Sequence, residues 1–500
     1  MILPKPTTIT AEDRRARQRA KIEEELFGTR QRNEVLEAEN ARFREENQRL
    51  REENARLKRQ LAASQKNSAT SSKPPSSDIV KPPKPPRKDG KKRHRGGQPG
   101  HEQHLRTPFP LEDVNRFVPY TLDCCPECGG SLVPSRREPE VFQQVEIKAT
   151  PIVVTEHQGL AYWCPHCQKF HYAPMPDAVV KAGLFGPRLL ALVGWLKGVC
   201  HMSFSTIRKY FRDVMGVTVC RGFLAKVVQK VSQSLKDPYE ELLELLQREA
   251  ALNVDETSHP DNGKRWWTWC FRAAMFTVFK VTPSRSCDVL LEVLGKEFHG
   301  LLGCDYFSAY RKYMRLNRNV LVQFCLAHFI RDVKFLVEHP DPRNRDYGRR
   351  VLALLKKLFA TIHRRHEYAS EETFRRTLVR WQNALAWEVG MEAADTREAG
   401  NLANRFYRHF EEYFRFISEP GIDPTNNVAE QVQRFVAIHR RMTQGTRSER
   451  GRGWWERMCT AVTTCDQQAR SSFQFLFDCV TAWIAGAPAP SLVPAPANTS

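Results

Sequence analysis

The chain is expected to be a multidomain α+β protein. Three patterns predict this: a seven-residue repeat near the N-terminus, two C-x-x-C pairs around a β-branched segment, and an alternation of strand-like and helix-like stretches beyond residue 246. Its 500 residues suffice for three or more folded units, each with its own core.

The repeat comes first. Leu36, Phe43, Leu50 and Leu57 recur every seven residues, Asn33, Asn40, Asn47 and Asn54 hold the other seam position, and Leu61 closes the run. Residues 1–63 therefore read as a coiled-coil, leucine-zipper region. Its asparagines favour a parallel pair in one register at a cost in stability, so a homodimer or higher oligomer is expected. Residues 64–108 turn to Ser, Pro, Lys, Arg and Gly, a composition that buries too little apolar surface to fold alone. Within it, residues 73–106 carry ten Lys/Arg against three Asp/Glu, including Lys91, Lys92, Arg93 and Arg95. This reads as a basic disordered arm suited to a phosphate backbone.

Residues 109–180 contain Cys124-Cys125-Pro126-Glu127-Cys128 and Trp163-Cys164-Pro165-His166-Cys167, separated by a strand-like run from Val141 to Thr155. Two such knuckles predict a zinc ribbon, because four thiolates close a tetrahedral structural Zn²⁺ site. Cys125, Cys128, Cys164 and Cys167 are the favoured ligands, with Cys124 spare and His166 or His171 as substitutes. Residues 181–245 are helical in pattern. An apolar helix from Ser203, a turn at Gly216 and a basic helix from Arg221 suggest a helix-turn-helix with Arg208, Lys209 and Arg221 facing DNA.

From 246 to 342 the order is strand, strand, strand, helix, strand, helix, strand. It fits an RNase H-like mixed sheet flanked by helices. Asp255 closes the apolar run Ala250-Ala251-Leu252-Asn253-Val254, and Asp305 closes Leu301-Leu302-Gly303-Cys304, so both carboxylates are expected at strand ends. Glu430 follows Asp423-Pro424-Thr425-Asn426-Asn427, a helix-start sequence, and so falls in the first turns of a helix. The 125 residues between Asp305 and Glu430 exceed one strand and a loop. Residues 343–418, with apolar and basic residues at helical spacing, are expected to form an all-α insertion, and 419–485 the rest of the core with C-terminal helices. The Pro/Ala-rich tail 486–500 reads as disordered.

Two strand-end acids and one helix acid are the donor set that holds two divalent cations about 3.5–4 Å apart for in-line phosphoryl displacement. Oxygen donors favour Mg²⁺ or Mn²⁺. Glu256 is a weaker candidate, since neighbours on a strand point to opposite faces. Arg434, Arg440 and Arg441, followed by Arg447, Arg450, Arg452 and Arg457, form a cationic strip expected to grip phosphates; Trp454 and Trp455 read as core. The formal net charge of +20 makes a polyanion, double-stranded DNA, the expected partner. The N-terminus has no secretory h-region and no run of 18 apolar residues is evident, so a cytoplasmic location without membrane contact is expected.

Taken together, the zipper, the Ser-Ser-Lys-Pro-Pro-Ser-Ser-Asp arm ending in Gly-Gly-Gln-Pro-Gly-His101, the two knuckles and Asn426-Asn427-x-x-Glu430 resemble the insertion sequence 66 family of DDE transposases. Cys325-Leu-Ala-His328 resembles the C-x-x-H element such transposases carry past the second aspartate. Tyr306, directly after Asp305, departs from the small residue found in many relatives. The resemblance implies cleavage at terminal inverted repeats and strand transfer into target DNA, with possible accessory proteins of the same element. Two rival functions remain: a catalytically inactive transposase-derived DNA-binding regulator, and an RNase H-like nuclease.

Overall fold

The computed structural model describes residues 11–64, 109–124, 126–131, 141, 143–145 and 151–494. Lys91, Lys92, Arg93, Arg95 and Cys125 lie outside the described residues, as does the end of the tail. The described chain divides into two compact units. One takes residues 1–82, 243–259 and 265–438; the other takes 83–242, 260–264 and 439–500.

Helix α1 (Ala11–Ser64) runs unbroken for 54 residues, well beyond the repeat itself. Its seam residues Leu36, Phe43, Leu50, Leu57 and Leu61 are each about half exposed. The carboxamides of Asn47 and Asn54 bond back to the carbonyls of Phe43 and Leu50 at 2.9 and 3.0 Å.

In the second unit, β1 (Ala161–Cys164) and β2 (Lys169–Tyr172) form an antiparallel hairpin that carries the second knuckle in its turn. The strands expected from Val141 to Thr155 do not form among the described residues there. Val153 and Val154 are 94% and 84% exposed, and a β-branched run without a surface to pack on has no reason to pleat. Helices α2 (Asp177–Ala182), α3 (Pro187–Gly198), α4 (Phe204–Asp213) and α5 (Arg221–Ser234) follow, with α6 (Lys236–Leu245) leading out. The stretch Asp177–Gly198 is long and apolar enough by composition to cross a bilayer, although Lys181 and Arg188 interrupt it, so it is no run of 18 apolar residues. In the fold it is two helices, parted by Gly183 and Pro187, and α3 buries Leu190, Val193 and Leu196 in the protein core. Helices α15 (Glu449–Gln467) and α16 (Ser472–Ala485) pack on α3 and α5. The sequence reading had grouped these C-terminal helices with the catalytic core; their apolar faces are instead taken by the helical region.

The first unit is built on a five-stranded sheet, ordered β5-β4-β3-β6-β7. Strands β3 (Ala251–Asp261) and β4 (Lys264–Arg272) are joined by Asn262-Gly263, both with positive φ, the two-residue turn that matches strand twist. Strand β5 (Thr277–Thr282) pairs antiparallel with β4. After α7 (Cys287–Leu294), β6 (Leu301–Cys304) enters parallel to β3, and after α8 (Ser308–Leu316), β7 (Leu321–Phe324) enters parallel to β6. Then come α9 (Leu326–Val337), α10 (Pro342–His363), α11 (Glu371–Ala386), a π-helical turn, α12 (Arg397–Arg408) and α13 (Phe410–Ser418), so the stretch between the sheet and the third acid is wholly helical. Gln323 of β7 donates to Tyr413 O at 3.1 Å and accepts from Phe416 N at 2.9 Å, so α13 covers the edge of the sheet. Helix α14 (Asn427–Thr443) begins in this unit.

Candidate active site

The register of β3 against β6 pairs Ala251 with Leu301, Leu252 with Leu302 and Asn253 with Gly303. Continued two residues, it sets Asp255 opposite Asp305 on one face of the sheet. Asp305 does stand just past the end of β6, as expected. Asp255 does not stand at a strand end: β3 runs on six residues to Asp261 because it keeps pairing with β4 after its parallel neighbour has stopped. The expectation for Asp255 is corrected in that respect, with the open edge of β3 replacing the strand end. Asp305 Oδ1 is fixed by accepting the Phe307 N–H at 2.8 Å.

Glu430 lies in the first turn of α14. Its Oε2 accepts from Arg331 Nη2 at 2.8 Å. Its Oε1 lies 3.4 Å from His328 Nδ1, and both atoms are buried without a hydrogen-bond partner. Arg331 Nη1 stands 3.0 Å from His328 Nε2. Since a guanidinium only donates, Nε2 accepts and the ring proton sits on Nδ1, facing Glu430. Burial and Arg331 hold the imidazole below its ordinary pKa, hence neutral. Cys325, His328 and Glu430 bring their donor atoms within 4.8 Å of one another. Arg331 therefore bonds both His328 and Glu430 and links them in this arrangement.

Burial, with the neighbouring carboxylates of Glu256, Asp305 and Glu430, pushes the Asp255 carboxyl well above its ordinary range. Glu256 faces the other side of β3 with Leu252 and Val254. Arg285 Nε reaches its Oε1 at 2.7 Å and the Tyr310 hydroxyl donates to its Oε2. Burial and Asp305 raise Glu256 to about 7, with Arg285 opposing. Acids crowded in this way repel one another unless a cation lies among them, and Glu430 Oε1 is an oxygen with no other partner. The donor set therefore fits divalent cations held by oxygen.

Cys164, Cys167 and His171 form a second group of possible ligands within 4.8 Å, Cys167 Sγ lying 3.2 Å from His171 Nε2. His171, which the sequence offered only as a substitute, is brought in because Cys164 ends β1 opposite Lys169 and His171 lies two residues further along β2, on the same face of the hairpin. Cys128 does not join them among the described residues. Amides of Cys167 and His166 around Cys164 hold its thiol below the ordinary range, favouring the thiolate a metal needs.

Of the basic residues, Arg208, Lys209 and Arg221 are exposed on α4 and α5, although Lys209 is paired with Asp213. Arg434 and Arg441 are exposed on α14 and Arg440 is half-buried. Two members of the expected strip are structural instead. Arg452 donates to Asp261 Oδ2 at 2.6 Å, and Arg457 to Ser232 O at 3.1 Å. Trp454 and Trp455, on the same helix, are core as expected. The sequence reading missed Arg285, Tyr310, Arg331 and Gln433. Arg331, three residues after His328, and Gln433, three residues after Glu430, each carried a positional hint on a helix.

The Transposase IS66 family model matches residues 182–453, and the model for the zinc-finger binding domain of transposase IS66 matches 123–168. A family of unknown function matches 11–107. The uncharacterized protein y4hP of Sinorhizobium fredii is 23% identical over 399 residues, covering 72% of this chain and 71% of that protein. Because the first match spans more than half of the chain and contains Asp255, Asp305 and Glu430, the chain belongs to the Transposase IS66 family.

Proposed function

We propose that this transposase cleaves double-stranded DNA at the terminal inverted repeats of its element and transfers the freed strand into target DNA, using an RNase H-like core with Asp255, Asp305 and Glu430 as its acids. The parallel pairing of β3 with β6, whose register extended by two residues would set Asp255 opposite Asp305, is the observation that supports this most. Asp255 and Asp305 would hold two Mg²⁺ or Mn²⁺ ions and Glu430 would complete one site through Oε1, while Arg331 keeps Oε2. When bound, the ions supply a nucleophilic oxygen at neutral pH and stabilise the leaving oxygen. The chain orients the acids: Phe307 N–H holds Asp305, and Arg331, itself bonded to His328, holds Glu430. Exposed Arg434 and Arg441 are suited to phosphates, as are Arg208 and Arg221. The Zn²⁺ of the ribbon is structural, and α1 pairs with a second copy through its exposed Leu and Phe seam.

Asp255→Asn, Asp305→Asn and Glu430→Gln are each expected to abolish strand cleavage and leave repeat-DNA binding near the wild-type level, because each removes one ligand charge and leaves every basic residue in place. Cleavage of a labelled repeat duplex beside a binding titration measures this. Wild-type cleavage by any one variant would remove that residue from the triad.

A further inference from the structure

Glu430 is separated from Asp305 by an entire helical insertion, so its position against β3 must come from contacts made by α14. Two carboxamides make them. Asn426, four residues before Glu430, donates from Nδ2 to Val254 O at 2.8 Å. Gln433, three residues after it, donates from Nε2 to Asp255 O at 3.0 Å and reaches Thr268 O of β4 at 3.4 Å. Residues 426, 430 and 433 share one helical face. Val254 and Asp255 are consecutive, so the two amides grip the backbone on either side of the Asp255 Cα.

The Asn426 end is itself braced. Asn253 Nδ2 donates to Asn426 Oδ1 at 2.8 Å, and Asn426 N–H donates to Cys325 Sγ at 3.1 Å. Both carboxamides are buried, at 1% and 6% exposure, where each bond is made in a low dielectric and an unpaired partner is costly. Neither side chain reaches the oxygens of the three acids.

We propose that Asn426 and Gln433 are positioning residues: a two-point clamp that sets the register of α14 on β3, and so the distance from Glu430 to Asp255, for divalent-cation binding. The proposal rests on the assignment of the three acids as metal ligands. It leaves open whether DNA is what the bound ions act on.

The test uses full-length Gln433→Met, equal in length without the donor, and Asn426→Ala. Mn²⁺ affinity is measured by electron paramagnetic resonance of the free ion, beside thermal melting. Affinity is expected to fall by about tenfold or more, the usual scale for residues that orient ligands. In Gln433→Met, melting should stay close to wild type and cleavage should recover as Mn²⁺ is raised, which a merely structural defect would not do. Wild-type Mn²⁺ affinity in whichever variant melts like the parent overturns the clamp. Weakened Mn²⁺ binding alongside a wild-type protein that cuts no DNA would instead sustain the clamp and remove the cleavage reading.

Discussion

At the scale of single residues, the crowding of Asp255 and Glu256 ties stability to pH. Both folded-state pKa values are raised, so each acid prefers its protonated form in the fold. Stability contributed by a raised acid is present below its unfolded pKa and falls as pH rises toward the folded value. For Glu256 that window runs from the ordinary 4.5 to about 7. At about 1.4 kcal/mol per pH unit, the metal-free protein should lose up to about 3 kcal/mol across it. Denaturant midpoints between pH 4.5 and 7.5 measure this, and Mn²⁺ should offset the loss at the upper end. A midpoint that rises with pH in metal-free protein would contradict the crowding. Gly303 offers a second residue-scale test. A Cβ there would lie 2.4 Å from Asn253 Nδ2, so Gly303→Ala should push Asn253 off Asn426 and cost about 1–3 kcal/mol. The glycine was visible in the sequence before Cys304-Asp305. Its reason was not, because Asn253 and Asn426 meet across 173 residues of chain.

At the scale of elements, α1 and the knuckle hairpin follow different rules. The seam of α1 recurs every seven residues and was fully legible, since a helix presents its periodicity whatever surrounds it. Its exposed leucines predict self-association. Leu50→Glu with Leu57→Glu should convert the full chain to a smaller species in sedimentation, and an unchanged species would place the dimer contact elsewhere. The hairpin shows where reading from sequence ran out. The C-x-x-C spacing marked its turn, but among the described residues the strands are Ala161–Cys164 and Lys169–Tyr172, with none in the valine run before them. Cys164→Ser with Cys167→Ser is expected to remove the bound zinc, read by elemental analysis of the full chain. Undiminished zinc would defeat the assignment of this hairpin as the site.

At the scale of the whole molecule, the proposed reaction needs two DNA ends held together, and the segments proposed for that task are separated along the sequence. Deleting residues 1–63 should impair bridging of two repeat ends more than binding of one, because the arm and the exposed cations of α4 and α5 remain. A two-end pull-down beside a single-end titration at several salt concentrations measures this. The single-end affinity should keep its steep salt dependence. Equal loss in both assays would show that α1 binds DNA itself.

The sequence alone determined the order of strands and helices beyond residue 246 and the family motifs, and singled out the three candidate acids, because strand and helix periodicities, turn residues and C-x-x-C spacing are local. Asn262-Gly263 needed only its own backbone freedom, and Glu430 only the helix start before it. Tertiary structure decided what depends on contacts far apart in the chain. It placed Asp255 on an open edge of β3 and gave Glu430 to Arg331. It took Arg452 and Arg457 out of the cationic strip for Asp261 and Ser232, and laid α15 and α16 on α3 and α5. In each case the deciding term is burial: an apolar face or a polar atom removed from water must find a partner, and which partner is near depends on how the chain closes.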